Sequence, residues 1–163
     1  MKSRTAYFGV FTALALIFSY VETLIPISFG VPGMKLGLAN LVIVVALYRQ
    51  TAKDAFLVSA VRIVLAGFLF GNLSMILYSL AGSSLSLLGM ALLKRSRGFS
   101  VIGVSLAGGV LHNMGQLIVA MLVVETYSIV YYLPVLLISG MVTGVLIGVI
   151  SGEVLKRLWN LNT

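Results

Sequence analysis

The chain is dominated by long apolar segments that contain very few charges. Six such segments are evident, at residues 6–25, 36–48, 54–70, 73–93, 99–123 and 129–153. Of the 163 residues 60% are hydrophobic and 9% are charged, whereas soluble domains carry about 25% charged residues. The chain cannot cover a soluble domain with polar side chains, so lipid is its solvent. We predict an all-α, polytopic membrane protein: a compact bundle of six transmembrane helices forming one membrane domain over residues 1–163.

The positions of the basic residues predict how the segments are oriented. Nine of the 11 basic residues lie on one face of the membrane if the six segments alternate across it. Cytoplasmic loops carry an excess of lysine and arginine, so this face is predicted to be cytoplasmic, with both termini inside. The first segment could also be a signal peptide, but it spans a full bilayer without a clear cleavage site, which favours a retained helix. The nine residues are Lys2, Arg4, Arg49, Lys53, Lys94, Arg95, Arg97, Lys156 and Arg157.

The residue types exclude several classes of function. The chain has no cysteine, which excludes disulfides, thiol catalysis and cysteine-based metal sites. Its one histidine, His112, has no carboxylate near it in sequence, and no Walker motif for ATP binding occurs. The net charge of +7 lies in the short loops and does not indicate nucleic-acid binding. We predict no catalytic residue, no metal and no cofactor.

Two segments carry small residues spaced by four, which places them on one side of a helix where another backbone can approach closely. Two interpretations are open for each: packing within the chain, or docking of a partner membrane subunit. For the sixth segment we favour helix packing, and for the first we favour partner docking. The residues are Gly140, Gly144, Gly148 and Gly152 in the sixth segment and Thr5, Gly9 and Ala13 in the first.

Polar side chains within the apolar segments are costly in lipid and are therefore functional hypotheses. Arg62 keeps its charge and needs an anion: either Glu22, in a structural pair, or a substrate group that it binds together with Lys35. His112 and Gln116 share a helix face, where hydrogen-bonded structure is the alternative to ligand binding. In the predicted topology these residues lie in the middle or outer half of the membrane. The predicted substrate-binding residues are Glu22, Lys35, Asn40, Arg62, Asn72, His112, Asn113 and Gln116.

Several motifs carry a resemblance to a known family. They are ETLIP and VPGMKLGLAN within residues 22–40, FGNLS at 70–74, YSLAG at 78–82 and GGVLHNMGQ at 108–116. Over nearly its whole length the chain resembles the Gx transporters, small bacterial membrane proteins also labelled heptaprenyl diphosphate synthase component I. These are similar to the S components of energy-coupling factor transporters, which capture a substrate on the outer side of the membrane.

The resemblance implies a specific arrangement. The chain would lie in the bacterial plasma membrane, with small residues of the first helix contacting a transmembrane coupling subunit. Two ATPases would supply the energy, and the loop at residues 26–35 would close over a small-molecule substrate. Irregular backbone around Pro32 fits this role, because it is tolerated at membrane depth only where it is buried or lines a cavity.

The two family labels imply different chemistry. Prenyl diphosphate synthases hold Mg²⁺ with several carboxylates, but Asp54 is the only aspartate and no two acids lie within one helical turn. We therefore predict that the chain is not an enzyme but a transporter subunit that captures a small, anionic organic molecule. The alternative is a non-transporting membrane accessory subunit or anchor in prenyl diphosphate, quinone or flavin-linked electron-transfer metabolism.

Overall fold

The computed structural model describes residues 2–25 and 37–160, and it contains helices and short connections. No strand occurs within these ranges, and each of the six α-helices lies largely within one of the predicted apolar segments, so the all-α prediction is confirmed. A short 3-10 helix, Tyr127–Tyr132, precedes the last helix. The helices are α1 (Lys2–Leu24), α2 (Leu38–Arg49), α3 (Ala52–Phe70), α4 (Leu73–Ser96), α5 (Val101–Val124) and α6 (Leu133–Asn160).

Four of the helices are long and apolar enough to cross a membrane: α1, α4, α5 and α6. Large apolar side chains on them are exposed, for example Ile17, Leu92, Leu122 and Ile138, and hydrocarbon is the solvent that suits such surfaces. The chain is therefore a multi-pass membrane protein in contact with the bilayer. Helix α2 has 12 residues and α3 has 19, and the sidedness of the helices stays a prediction.

The helices group into two compact units, Met1–Ile76 and Leu77–Thr163. We call them the N-terminal unit and the C-terminal unit. In the N-terminal unit, α1, α2 and α3 pack against one another. In the C-terminal unit, α5 and α6 form the most extensive helix pair. The prediction of one membrane domain over residues 1–163 stays a prediction.

Helices α1 and α3 run parallel and in a constant register. At one end, Arg4 Nη2 lies 2.6 Å from Asp54 Oδ1. At the other, the rings of Tyr20 and Phe70 have centroids 5.1 Å apart. In both pairs the α3 residue follows the α1 residue by 50 positions. A residue of α1 therefore lies level with the α3 residue numbered 50 higher.

The start of α3 is set by a capping box. The Thr51 hydroxyl accepts a hydrogen bond from the Asp54 backbone N–H at 3.2 Å, and Asp54 Oδ2 accepts one from the Thr51 N–H at 3.4 Å. This exchange satisfies two donors that a helix N-terminus otherwise leaves free. Because Asp54 also binds Arg4, the same carboxylate fixes where α3 begins and ties it to α1.

Helix α2 is the most enclosed helix of the N-terminal unit. Every residue from 42 to 47 is buried, so the helix has no exposed face over this stretch. A helix that is apolar on all sides is expected in such a position. It follows Gly37, whose φ of 75° lies in the left-handed region that favours glycine.

The glycine face of α6 packs on α5 within the C-terminal unit. A Cβ atom built on Gly140, Gly144 or Gly148 would lie 2.7 Å from backbone atoms of α5, namely the Gly109 oxygen, Leu106 Cα and Ile102 Cα. Only glycine allows the two backbones to approach this closely. As the residue number increases along α6, the residue number of its contact on α5 decreases, so the two helices are antiparallel. At Gly152 no described atom lies within 4 Å of such a Cβ, and a packing role for this residue stays a prediction.

Helix α5 also meets α4 through glycines, on its other side. A Cβ on Gly115 would lie 2.8 Å from the Ala81 oxygen and 2.9 Å from Gly82 Cα. One on Gly108 would meet Met90 and Ser86 further along α4. Helix α5 is thus held closely by two neighbours, which fixes the rotation of its polar residues.

Candidate functional site

Three of the predicted polar residues lie around the first turn of α2 in the N-terminal unit. Arg62 Nη2, on α3, donates a hydrogen bond to Asn40 Oδ1 at 3.3 Å. Glu22 Oε1, near the end of α1, accepts one from the Leu38 backbone N–H at 2.9 Å. Since Gly37 provides no side-chain cap, Glu22 serves as the cap of α2 from another helix.

The guanidinium of Arg62 is incompletely partnered. Its Nε atom is buried and has no hydrogen-bond partner in the described part of the chain. The charge of Glu22 acts on it, but within residues 2–25 and 37–160 no carboxylate lies within 4 Å of it. Because arginine keeps its proton, a buried donor and a positive charge remain available. An anion with oxygen acceptors would satisfy both.

Asn72 has a local role at the start of α4. Its side-chain oxygen accepts a hydrogen bond from the Met75 backbone N–H at 2.9 Å, and the residue is exposed. This is the usual geometry of an asparagine N-cap. This hydrogen bond is a sufficient structural reason for an asparagine at position 72. A role of Asn72 in substrate binding stays a prediction.

The three polar residues of the HNMGQ motif lie on two faces of α5. Asn113 Nδ2 donates to the Leu136 carbonyl oxygen of α6 at 2.7 Å. His112 and Gln116 lie beside Gly82 of α4, where a Cβ would be 3.2 Å from His112 Cε1 and 2.9 Å from Gln116 Cγ. All three are half-buried. Asn113 therefore joins α5 to α6, and the other two share the face towards α4.

Seven of the eight predicted substrate-binding residues are described by the structure, and they are distributed over both units. Glu22, Asn40 and Arg62 come together in the N-terminal unit, whereas the HNMGQ residues belong to the C-terminal unit. Lys35 and the predicted lid at residues 26–35 lie outside the described residues. That all eight residues line one pocket stays a prediction.

Sequence reasoning missed two hydroxyl groups in the N-terminal unit. Thr12 Oγ1 and Ser59 Oγ are buried and have no hydrogen-bond partner among the described residues. Hydroxyls within helices commonly bond the carbonyl four residues earlier, as Ser19 does to the Ala15 oxygen at 2.9 Å. No feature of the sequence distinguishes Ser59 from Ser19, so only the structure identifies these two groups.

Comparison with known families shows to which family the chain belongs. Residues 11–154 match the family model described as heptaprenyl diphosphate synthase component I. The chain belongs to this family. The resemblance to component I proteins is therefore confirmed, whereas the similarity to energy-coupling factor S components stays a prediction. No curated protein and no solved structure matched the chain.

The acidic residues of this chain lie on, or at the end of, four different helices. The chain has four: Glu22 caps α2, Asp54 binds Arg4, Glu125 ends α5 and Glu153 lies 3.5 Å from Arg157 on α6. Across residues 2–25 and 37–160, no three histidine or acidic side chains are grouped so that they could hold a metal ion.

The small residues of α1 are exposed. Thr5, Gly9 and Ala13 are exposed, and a Cβ at Gly9 would have no described atom within 4 Å. This stripe is therefore not used in packing by the described residues. Its role in docking a partner subunit stays a prediction.

Proposed function

We propose that this chain is the membrane-embedded substrate-binding subunit of a transporter and captures a small organic anion. The observation that carries the proposal is Arg62: its Nε–H is buried and unpartnered among the described residues. The carboxylate whose charge acts on it, that of Glu22, caps α2. Placing a charge at membrane depth is costly. A bound anion would offset that cost, and it would explain why the charge is kept.

The position of Arg62 supports entry of the ligand to mid-depth. Arg62 follows Asp54 by eight residues, which corresponds to about 12 Å along a helix, in a hydrocarbon layer about 30 Å thick. In the predicted topology the ligand arrives from the outer face, and Asn40 orients the guanidinium through its hydrogen bond. Release to the cytoplasm requires work that this chain does not supply, because it has no Walker motif. We assign that work to partner ATPases and their coupling subunit, and the exposed stripe of α1 supports such docking.

The proposal assigns no catalytic step to this chain. A diphosphate bound through Mg²⁺ needs several carboxylate oxygens around the ion. Glu22 and Asp54 are each engaged in a structural contact at a different helix terminus. Their separation supports a binding role rather than a synthase active site.

The test compares Arg62→Lys with Arg95→Lys, which alters an exposed arginine at the end of α4. Native mass spectrometry of the detergent-purified protein should show an organic anion on the parent protein and on Arg95→Lys. We expect Arg62→Lys to bind that anion about tenfold more weakly or worse, because lysine is a point charge without the planar array of donors of arginine. Equal occupancy of the two variants would contradict the proposal.

The family name favours a second candidate, an accessory subunit beside a prenyl diphosphate synthase. Purification from native membranes in mild detergent separates the two. For the transporter subunit we expect a coupling subunit and two ATPases to co-purify with the chain, and Gly9→Leu on the exposed stripe to abolish this. Gly152→Leu, at an open glycine of α6, is the control that should leave it unchanged. Recovery of a soluble prenyl transferase instead would favour the accessory role.

A further inference from the structure

Three buried polar atoms of the N-terminal unit have no hydrogen-bond partner within the described ranges: Thr12 Oγ1, Ser59 Oγ and Arg62 Nε. Ser59 is only 1% exposed. Buried polar groups in proteins are almost always hydrogen-bonded, so each exception needs an explanation. Here the three exceptions lie on two helices that pack against each other, α1 and α3.

The register of these helices places the three atoms in one layer. Since α1 and α3 run parallel with an offset of 50 positions, Thr12 lies level with Arg62. Ser59 precedes Arg62 by three residues, so the two share a face of α3 and differ by about 4.5 Å in height. Along the helix axes, Thr12, Ser59 and Arg62 therefore lie within about one helical turn of each other.

Three other hydroxyls do not behave in this way, although Ser151 Oγ of α6, in the C-terminal unit, is also buried and unpartnered among the described residues. Ser19 bonds the Ala15 carbonyl oxygen at 2.9 Å, Ser83 bonds that of Leu80 at 3.2 Å, and Thr143 bonds that of Ser139 at 2.9 Å. Each of them uses a carbonyl of its own helix. The hydroxyls of Thr12 and Ser59 lack this bond, so they are available to form a hydrogen bond with another group.

The chemistry of the three groups selects the occupant. Arg62 Nε–H only donates, and the two hydroxyls can donate at the same time. The set carries a positive charge, which repels a cation. A water molecule can accept at most two of these hydrogen bonds and leaves the charge unbalanced, whereas a carboxylate or phosphate group can accept all three and balance the charge.

We infer that Thr12, Ser59 and Arg62 form a three-donor site for an oxyanion inside the N-terminal unit. Thr12 and Ser59 are then specificity-determining residues that read the anionic group by hydrogen bonds. If the oxyanion is part of the captured molecule, the inference rests on the proposed function and deepens it. The same chemistry fits a free small anion, and the experiment below separates these two sources.

The variants are Thr12→Val and Ser59→Ala, with Ser19→Ala as the control, a buried serine that already has a hydrogen bond. Binding of radiolabelled acetate and phosphate to the purified protein is measured by equilibrium dialysis at constant ionic strength, and the organic anion by native mass spectrometry. We expect Thr12→Val and Ser59→Ala each to raise the Kd for the bound anion about tenfold or more, because each removes a hydrogen bond to a charged group. Ser19→Ala should leave the Kd unchanged.

Stability without ligand provides an independent measurement. Replacing an unpartnered buried hydroxyl with an apolar group of similar shape is neutral or stabilising. The unfolding midpoint of the empty protein should therefore be unchanged or higher in Thr12→Val and Ser59→Ala, and lower in Ser19→Ala. A loss of stability in all three variants together with an unaltered Kd would overturn the inference.

The failures of the inference and of the proposed function are distinguishable. If Arg62→Lys weakens binding of the organic anion while Thr12→Val and Ser59→Ala do not, the inference is wrong and the proposed function survives. If no organic anion binds but acetate or phosphate does, in a manner that depends on Thr12 and Ser59, the inference stands as a site for a free anion. If no anion of either kind binds, the inference is overturned.

Discussion

Replacing Gly144 with alanine should destabilise the protein by about 1–3 kcal/mol. The new Cβ would lie 2.7 Å from Leu106 Cα and 2.8 Å from the Ser105 carbonyl oxygen. Both are backbone atoms, which cannot rotate away, so α5 and α6 must separate along their whole interface. The measurement is the free energy of unfolding in detergent, from a denaturant titration followed by circular dichroism.

Gly152→Ala is the matched control, since Gly152 lies on the same helix two glycines further along. No described atom lies within 4 Å of its Cβ position, and alanine favours a helix over glycine by about 1 kcal/mol. Gly152→Ala should therefore be neutral or mildly stabilising. Equal effects of the two variants would contradict the close approach of α5 and α6 and would indicate a general effect of helix propensity.

Glu22→Ala should be the second strongly destabilising change, by about 1–3 kcal/mol. It removes the oxygen that accepts the Leu38 N–H at 2.9 Å and leaves the first turn of α2 without that cap. It also removes the carboxylate whose charge acts on Arg62. The same unfolding measurement reports the loss.

Glu22→Gln separates the cap from the charge. Glutamine retains an oxygen that can accept the Leu38 N–H, so we expect stability close to that of the parent protein. With the competing negative charge gone, Arg62 should bind the organic anion about tenfold more tightly, which corresponds to about 1.4 kcal/mol. If Glu22→Gln is as unstable as Glu22→Ala, the charge of Glu22 is needed for the fold and a structural Glu22–Arg62 pair is favoured.

The helices could be predicted from the sequence because lipid imposes a simple requirement on them. Every spanning segment needs a long apolar run, and backbone groups must be satisfied within the segment. The six apolar runs therefore locate the six helices, although α6 extends to Asn160, beyond the predicted limit of 153. The charged end of α6 lies outside an apolar run but continues the helix, with Glu153 and Arg157 one turn apart.

The candidate site could be predicted only in part. Arg62 stands out because a charged arginine within an apolar segment costs free energy in the membrane. The cap that Glu22 provides to Leu38 joins residues 16 positions apart, and no local pattern indicates it. The unpaired state of Ser59 depends on side-chain orientation within a packed interior, which spacing along the sequence does not specify.

The enclosure of α2 has a consequence for how the protein responds to its membrane. With 12 residues, α2 is only about 18 Å long, which would be a severe hydrophobic mismatch for a lipid-facing helix. Because residues 42–47 are covered by protein, α2 is relieved of any need to match bilayer thickness. A change in membrane thickness will act on the helices that are long enough to span it, α1, α4, α5 and α6. The buried residues of α2, the helix that carries Asn40, are shielded from that change.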